Sequence, residues 1–176
     1  NHIEIEKRKS MLTDCVLCPR NCHADRINGR RGRCHETAEI VVARAALHMW
    51  EEPCISGDAG SGAVFFSGCS MGCIFCQNHN IAEAKAGKII TIERLSQIFL
   101  ELQGEGAANI NLVTPTHYVP QIIGALEMAR KAGLALPVVY NTSGYEKPET
   151  IQMLDGYVDV YLPDFKYMEP ELAASY

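Results

Sequence analysis

Seven of the eight cysteines in this chain fall into two tight groups, and their spacing is where its chemistry begins. Cys69, Cys73 and Cys76 are spaced C-x3-C-x2-C. Three thiolates bind three irons of a four-iron cubane and leave the fourth open, as a cluster needs if it is to take a ligand rather than only carry electrons. Thiolates are soft and suit zinc as well as iron–sulfur. A structural zinc knuckle with its fourth ligand elsewhere is therefore the competing reading. The second group, Cys15-x2-Cys18-x3-Cys22-x11-Cys34, supplies four soft ligands, enough to saturate a tetrahedral zinc or a [4Fe–4S] cluster. A saturated site would be structural or would relay electrons, and the spacing leaves zinc and iron–sulfur both open. Cys54 stands alone and is expected to be a buried free thiol.

Composition favours metal over disulfides. With 176 residues, 47% hydrophobic and 21% charged, the chain can bury a real core without covalent staples. The N-terminus, Asn1-His2-Ile3-Glu4, has no apolar signal-peptide core. No apolar run approaches the roughly 20 residues of a membrane helix. A reducing, cytoplasmic setting follows as the expectation, and clustered cysteines there bind metal. The formal net charge of −5 argues against nucleic acid as the main partner.

The elements that must position these groups can be read from periodicity. Residues 1–14 read as a mixed, charged lead-in. Residues 15–35 lack periodicity and read as a loop-rich knuckle organised by metal, with Arg20, Arg26, Arg30, Arg31 and Arg33 among the cysteines. That basic face is either simply solvated or a docking surface for an acidic partner. Residues 39–50 are apolar and partly β-branched, a strand pair or a short helix. Residues 63–66 form a short strand running into the three-cysteine motif. Leu95, Ile98, Phe99 and Leu102 recur at helical spacing, with a cap near Thr91 and a stop at Gly104. Strands follow at 110–113, 137–140 and 158–162. Helices opened by Pro120, Pro148 and Pro170 separate or follow them. The fold class is α/β, with parallel pairing and right-handed crossovers.

In such folds functional groups collect at the C-terminal ends of the strands. The three cysteines follow the first strand, Thr114-Pro115-Thr116-His117-Tyr118 the second, and Asn141-Thr142-Ser143-Gly144-Tyr145 the third. Asp164-Phe165-Lys166 falls at the fourth, with Asp164 and Lys166 on one strand face. This single polar rim favours a barrel over an open doubly wound sheet. The blander roles are a surface ion pair for Asp164 and Lys166, and a turn or cap for Asn141 and Thr142. His117 would be a hydrogen-bonded surface histidine, and Tyr118 and Tyr145 packing or rim residues.

Gly68-Cys69-x3-Cys73-x2-Cys76-Gln77-Asn78, with Phe75 before the third cysteine, resembles the radical S-adenosylmethionine (radical SAM) superfamily. Asn111 to Tyr118 and Asp159-x2-Leu162-x-Asp164-x-Lys166 are similar to its pyruvate formate-lyase activating enzyme-like branch, in an uncharacterised activase-homologue subgroup that also carries N-terminal Cys-x2-Cys-Pro. The resemblance covers residues 54–176. It implies a partial six-stranded (β/α) barrel, of which about four strands lie in this chain, so the chain reads as the front part of a longer protein. It further implies a [4Fe–4S] cluster on Cys69, Cys73 and Cys76, with S-adenosylmethionine held near Thr114, Thr116, Asn141, Thr142, Asp164 and Lys166. Cys15, Cys18, Cys22 and Cys34 would hold a second metal, zinc or Fe–S.

The implied activity is reductive cleavage of S-adenosylmethionine and hydrogen abstraction through a 5′-deoxyadenosyl radical, as in a glycyl-radical-enzyme activase. The implied partners are an electron donor such as flavodoxin or ferredoxin and a protein substrate. The alternatives are radical chemistry on a small molecule or another protein, and a non-catalytic zinc or Fe–S binding module. One departure stands out: the family often has Gly-Gly-Glu after the second strand, where this chain has Thr114-Pro115-Thr116. Residues 1–53 read as an N-terminal extension carrying the knuckle, and 54–176 as the partial barrel.

Overall fold

The computed structural model describes residues 10–175; residues 1–9, most of the lead-in named above, lie outside the described part. The strands are β1 (Ile40–His48), β2 (Ser61–Phe66), β3 (Lys88–Ile90), β4 (Ile110–Val113), β5 (Val138–Thr142) and β6 (Val160–Pro163). The helices among the described residues include α1 (Pro53–Ser56), α2 (His79–Ala82), α3 (Ile92–Gly104), α4 (Val119–Lys131), α5 (Pro148–Gln152) and α6 (Pro170–Ser175). The strands make one sheet in the order β3-β1-β2-β4-β5-β6.

β2, β4, β5 and β6 pair in parallel and are the four strands expected from the alternating pattern. Two antiparallel strands extend them, β1 against β2 and β3 against β1. The segment at 39–50 is thus neither a strand pair nor a helix but mainly one long strand. β1 is irregular between Val42 and Arg44, which breaks the simple alternation a sequence reading looks for. The sheet is an open partial barrel, an α/β architecture of the kind the rim argument required.

Alternate strand residues point to opposite faces, and the two faces differ in chemistry. Val64, Phe66, Ile110, Leu112 and Val138 face the helices and join Leu95, Phe99, Ile122 and Leu126 in one fully buried core. α3 begins where Thr91 Oγ1 accepts the Arg94 amide at 3.1 Å, an N-cap bond that satisfies one orphan donor. Its Leu95, Ile98, Phe99 and Leu102 stripe packs on the sheet beside α4. The other face carries Phe65, Val113 and Asn141, which border a cavity. Asn111, fully buried on the same face, reaches Glu51.

Residues 15–35 have almost no regular structure. A single bridge joins Cys15 to Ala24, and Leu12, Cys15 and Leu17 make a small apolar cluster that reaches Met153. Cys54 lies in α1 and is exposed, not buried as expected: the helix is four residues long and only its Ser56 turns inward. Among the described residues no helix is long and apolar enough to cross a membrane.

Candidate functional site

β2 delivers the chain to the three cysteines through Ser67 and Gly68. Gly68 has φ +84°, and a Cβ there would lie 2.5 Å from the Cys34 carbonyl oxygen and 3.2 Å from His117 Nε2. Glycine is therefore required both for the turn and for the close approach of the knuckle. Gly72 repeats the pattern within the loop: its φ is +71°, and the Arg33 guanidinium lies 2.9 Å from where a Cβ would stand. The Met71 amide donates to Cys69 Sγ at 3.4 Å, a bond within the loop itself.

Cys69, Cys73 and Cys76 are half-buried and border one cavity of about 860 Å³. Thr114, Asn141, Thr142, Asp164 and Lys166 border the same cavity. Lys166 Nζ donates to Asp164 Oδ2 at 2.6 Å, and both residues lie beyond the end of β6 at Pro163 rather than on the strand itself. Burial pushes the Cys73 thiol up, while the Lys166 ammonium opposes that shift. Lys166 itself is held above its usual range: burial opposes the charge, but Asp164 and the Cys73 and Cys69 sulfurs outweigh it. Among the described residues no three His, Cys, Asp or Glu side chains are already closed around a metal position. The donor set nonetheless fits a cubane with an open iron: three soft sulfurs on one loop, bordering a cavity with room for a second ligand.

Thr114 sits at the departure from the family pattern. Its φ is +56°, a left-handed conformation natural for glycine and costly, by about 1–3 kcal/mol, for a β-branched residue. Its amide is fixed to the Asn141 carbonyl at 3.0 Å, tying the ends of β4 and β5 together. Thr116, placed by sequence with the cofactor residues, does not border the cavity. It is buried and donates to Glu146 Oε1 at 2.7 Å, and Thr142 Oγ1 donates to the same oxygen.

His117 is the clearest correction. It is 2% exposed rather than superficial, with Nε2 bonded to the Ser67 carbonyl at 2.7 Å. Burial and the nearby Arg26 charge pull it down to about 3, so it is neutral near pH 7. Tyr118 is a packing residue, fully buried against Phe66, and its hydroxyl accepts from the Val41 amide. Tyr145 lies under the Arg20 guanidinium.

Two sulfurs of the second cysteine group lie against Gly32. A Cβ there would meet Cys22 Sγ at 2.9 Å and Cys34 Sγ at 3.7 Å. Cys15 and Cys22 both act on Cys18, whose thiol burial pushes up, and burial pushes Cys34 up to about 11. Arg26, 1% exposed, points Nη1 at Cys15 Sγ from 3.8 Å and donates to the His117 carbonyl at 2.6 Å. The buried guanidinium thus lies beside Cys15 and opposes part of the shift that burial causes at Cys34.

Sequence reasoning missed Arg44, Glu51 and Glu146. Arg44 and Glu51 border the cavity. Glu51 Oε2 accepts from Asn111 Nδ2 at 2.7 Å and Asn141 Nδ2 at 3.3 Å, and burial holds the carboxyl above its usual range. Neither residue belongs to a motif; only the pairing of β1 beside β2 brings them here.

These features are those of a radical SAM protein, and the chain belongs to the Radical SAM superfamily, which it matches over residues 63–175. It is also 30% identical, over 174 residues, to a protein of Methanocaldococcus jannaschii described as uncharacterized. That match covers 94% of this chain and 49% of the relative, so the chain spans about half the relative's length. No solved structure matches it.

Proposed function

We propose that this chain carries the cluster and cofactor site of a radical SAM enzyme, with a [4Fe–4S] cluster on Cys69, Cys73 and Cys76. The observation that carries the reading is the convergence of three half-buried cysteines with the polar ends of β4, β5 and β6 on one cavity. A cluster held there would supply the one-electron reduction of S-adenosylmethionine that begins hydrogen abstraction from substrate. Thr114, Asn141, Thr142, Asp164 and Lys166 would hold the cofactor. Thr116 would act through Glu146, which fixes the Thr142 hydroxyl. The buried faces of β2, β4 and β5 would keep the site rigid and dry. Cys15, Cys18, Cys22 and Cys34 would hold a second metal, and eight free thiols suit a reducing cytoplasm. The similarity at Asp159 to Lys166 supports an activase role, with a backbone glycine of a partner enzyme as substrate.

The test is electron paramagnetic resonance on anaerobically reconstituted, reduced protein with and without S-adenosylmethionine. A cluster signal that shifts on adding S-adenosylmethionine, and is lost in Cys73→Ala, supports the reading. Zinc without iron, or a signal indifferent to S-adenosylmethionine, would replace it with a metal-dependent binding module. A glycyl radical appearing in a partner enzyme would establish the activase role.

A further inference from the structure

A β-bulge turns an arginine of β1 into the cavity. Val42 pairs with Phe66, but the next register pair is Arg44 with Phe65, so Ala43 is an extra residue on β1. Without it Arg44 would stand opposite Val64, whose side chain lies in the core. With it, Arg44 and His48 fall on the face of Phe65, and all three border the cavity. Bulges beside functional sites re-aim side chains in this way. Lys166, also at the cavity, is bonded to Asp164, whereas Arg44 is exposed and has no hydrogen bond or ion pair among the described residues. Glu51 turns Oε2 to the Asn111 and Asn141 amides rather than to Arg44. The Arg44 guanidinium therefore presents a planar fork of donors that matches a carboxylate. Beside it the His48 ring meets Phe65 edge-on, with centroids 6.3 Å apart, and Trp50, 89% exposed, borders the same space. At about 860 Å³ the cavity is near the top of the range of about 300–1,000 Å³ for small-molecule sites. The residues assigned to cluster and cofactor come from the cysteine loop and the ends of β4, β5 and β6, which leaves the β1 wall for another ligand.

We propose that Arg44 receives a carboxylate of the substrate, with Phe65, His48 and Trp50 against the neighbouring apolar part, so that the β1 wall selects which molecule enters the cavity. The proposal rests on the radical SAM reading and names the substrate class within it. The shared chemistry is a carboxylate, carried by a free acid or by an acidic side chain of a protein loop. One guanidinium balances a single negative charge. A doubly charged phosphate would leave excess charge facing Glu51 and Asp164, which border the same cavity in a chain of formal net charge −5.

Trp50 is the one tryptophan in the sequence and stands at the cavity, so its fluorescence reports what binds there. Wild type, Arg44→Gln and Arg44→Lys are reconstituted anaerobically and saturated with S-adenosylmethionine. Each is titrated at constant ionic strength with N-acetylglycine, with N-acetylaspartylglycinamide and with inorganic phosphate. Calorimetry gives the S-adenosylmethionine affinity of each protein. Wild type is expected to show a saturable change with a carboxylate, and the tighter of the two separates a free acid from a protein loop. Arg44→Gln should bind that carboxylate about tenfold or more weakly, with Arg44→Lys between, while iron content and S-adenosylmethionine affinity stay at the wild-type level. Equal titrations in wild type and Arg44→Gln, or no saturable response of wild type to either carboxylate, would overturn the proposal. So would phosphate binding more tightly than both carboxylates. A parallel loss of S-adenosylmethionine affinity in Arg44→Gln would overturn it too, by assigning the arginine to the cofactor. Wild type that takes up no iron, or iron indifferent to S-adenosylmethionine, is a failure of the radical SAM reading itself, visible before any acid is added.

Discussion

Arg20 and Ser70 stand fifty residues apart in sequence and are joined by a 2.9 Å hydrogen bond, with a second arm of the guanidinium on the Met71 carbonyl. The knuckle thereby holds the backbone of the loop that carries Cys69 and Cys73. Arg20→Ala removes two charge-assisted bonds at a partly exposed site, a loss of about 1–2 kcal/mol. The expected outcome is a lower melting temperature and faster loss of iron to a chelator, with Arg20→Lys falling between. Unchanged iron retention in Arg20→Ala would show the contact to be passive.

Gly68→Ala should do more damage than its size suggests. The new methyl meets the Cys34 carbonyl and Glu36 Cγ inside 3 Å, and the backbone must keep φ near +84°. Either the knuckle or the cysteine loop has to move. We expect a loss of iron comparable to that of Cys73→Ala, measured as iron per chain after reconstitution.

His117 makes stability depend on pH in a definite direction. The unfolded chain takes a proton near pH 6.5 that the folded chain refuses until about pH 3. Stability is therefore complete above about 6.5 and falls as the pH drops through the window between, by at most about 1.4 kcal/mol per pH unit. Urea unfolding at pH 7.5, 6 and 5 should show this slope. His117→Phe should be less stable at pH 7.5, because the Ser67 carbonyl loses its partner, but should have a flatter profile.

Glu146 was invisible in sequence because it belongs to no motif, yet it accepts hydroxyl bonds from both Thr116 and Thr142. Glu146→Ala frees the Thr142 side chain at the cavity edge. S-adenosylmethionine binding should weaken by about fivefold to tenfold, the equivalent of one ordinary hydrogen bond. Calorimetry on the reconstituted protein measures it directly, and unchanged affinity would remove Glu146 from the site.

Metal analysis should separate the two cysteine groups. Cys22→Ser is expected to lose the metal of the knuckle, zinc or iron, while retaining more of the S-adenosylmethionine-responsive signal than Cys73→Ala does. Loss of that signal to the same extent in both variants would mean that a single shared site had been mistaken for two.

The sequence was most informative where burial imposes a clean period. The stripe at Leu95, Ile98, Phe99 and Leu102 and the apolar runs of β2, β4 and β5 are all fully or largely buried, and their pattern shows it. β1 was harder, because its register slips at Val42/Arg44 and one of its faces meets a polar cavity rather than a core. β3 is three residues long and mostly exposed, too short to leave a period. At the site, chemistry-bearing motifs were legible because their spacing is itself the signal. Arg44, Glu51 and Glu146 were not, since only the folded chain brings them near the motif residues. His117 looked superficial because its loop position was visible and the knuckle packed over it was not.

The bonds that seat the knuckle run from Arg20 to Ser70, Arg26 to His117 and Leu17 to Thr150, sequence separations of 50, 91 and 133 residues. A segment near the start of the chain is thus completed by partners that leave the ribosome much later. High contact order slows folding, since long loops must close before these contacts form. During synthesis the first cysteine group waits, exposed and unbraced, for the strands it will brace. An early-bound metal would give that waiting segment a shape of its own, and the rest of the sheet a fixed piece to close upon.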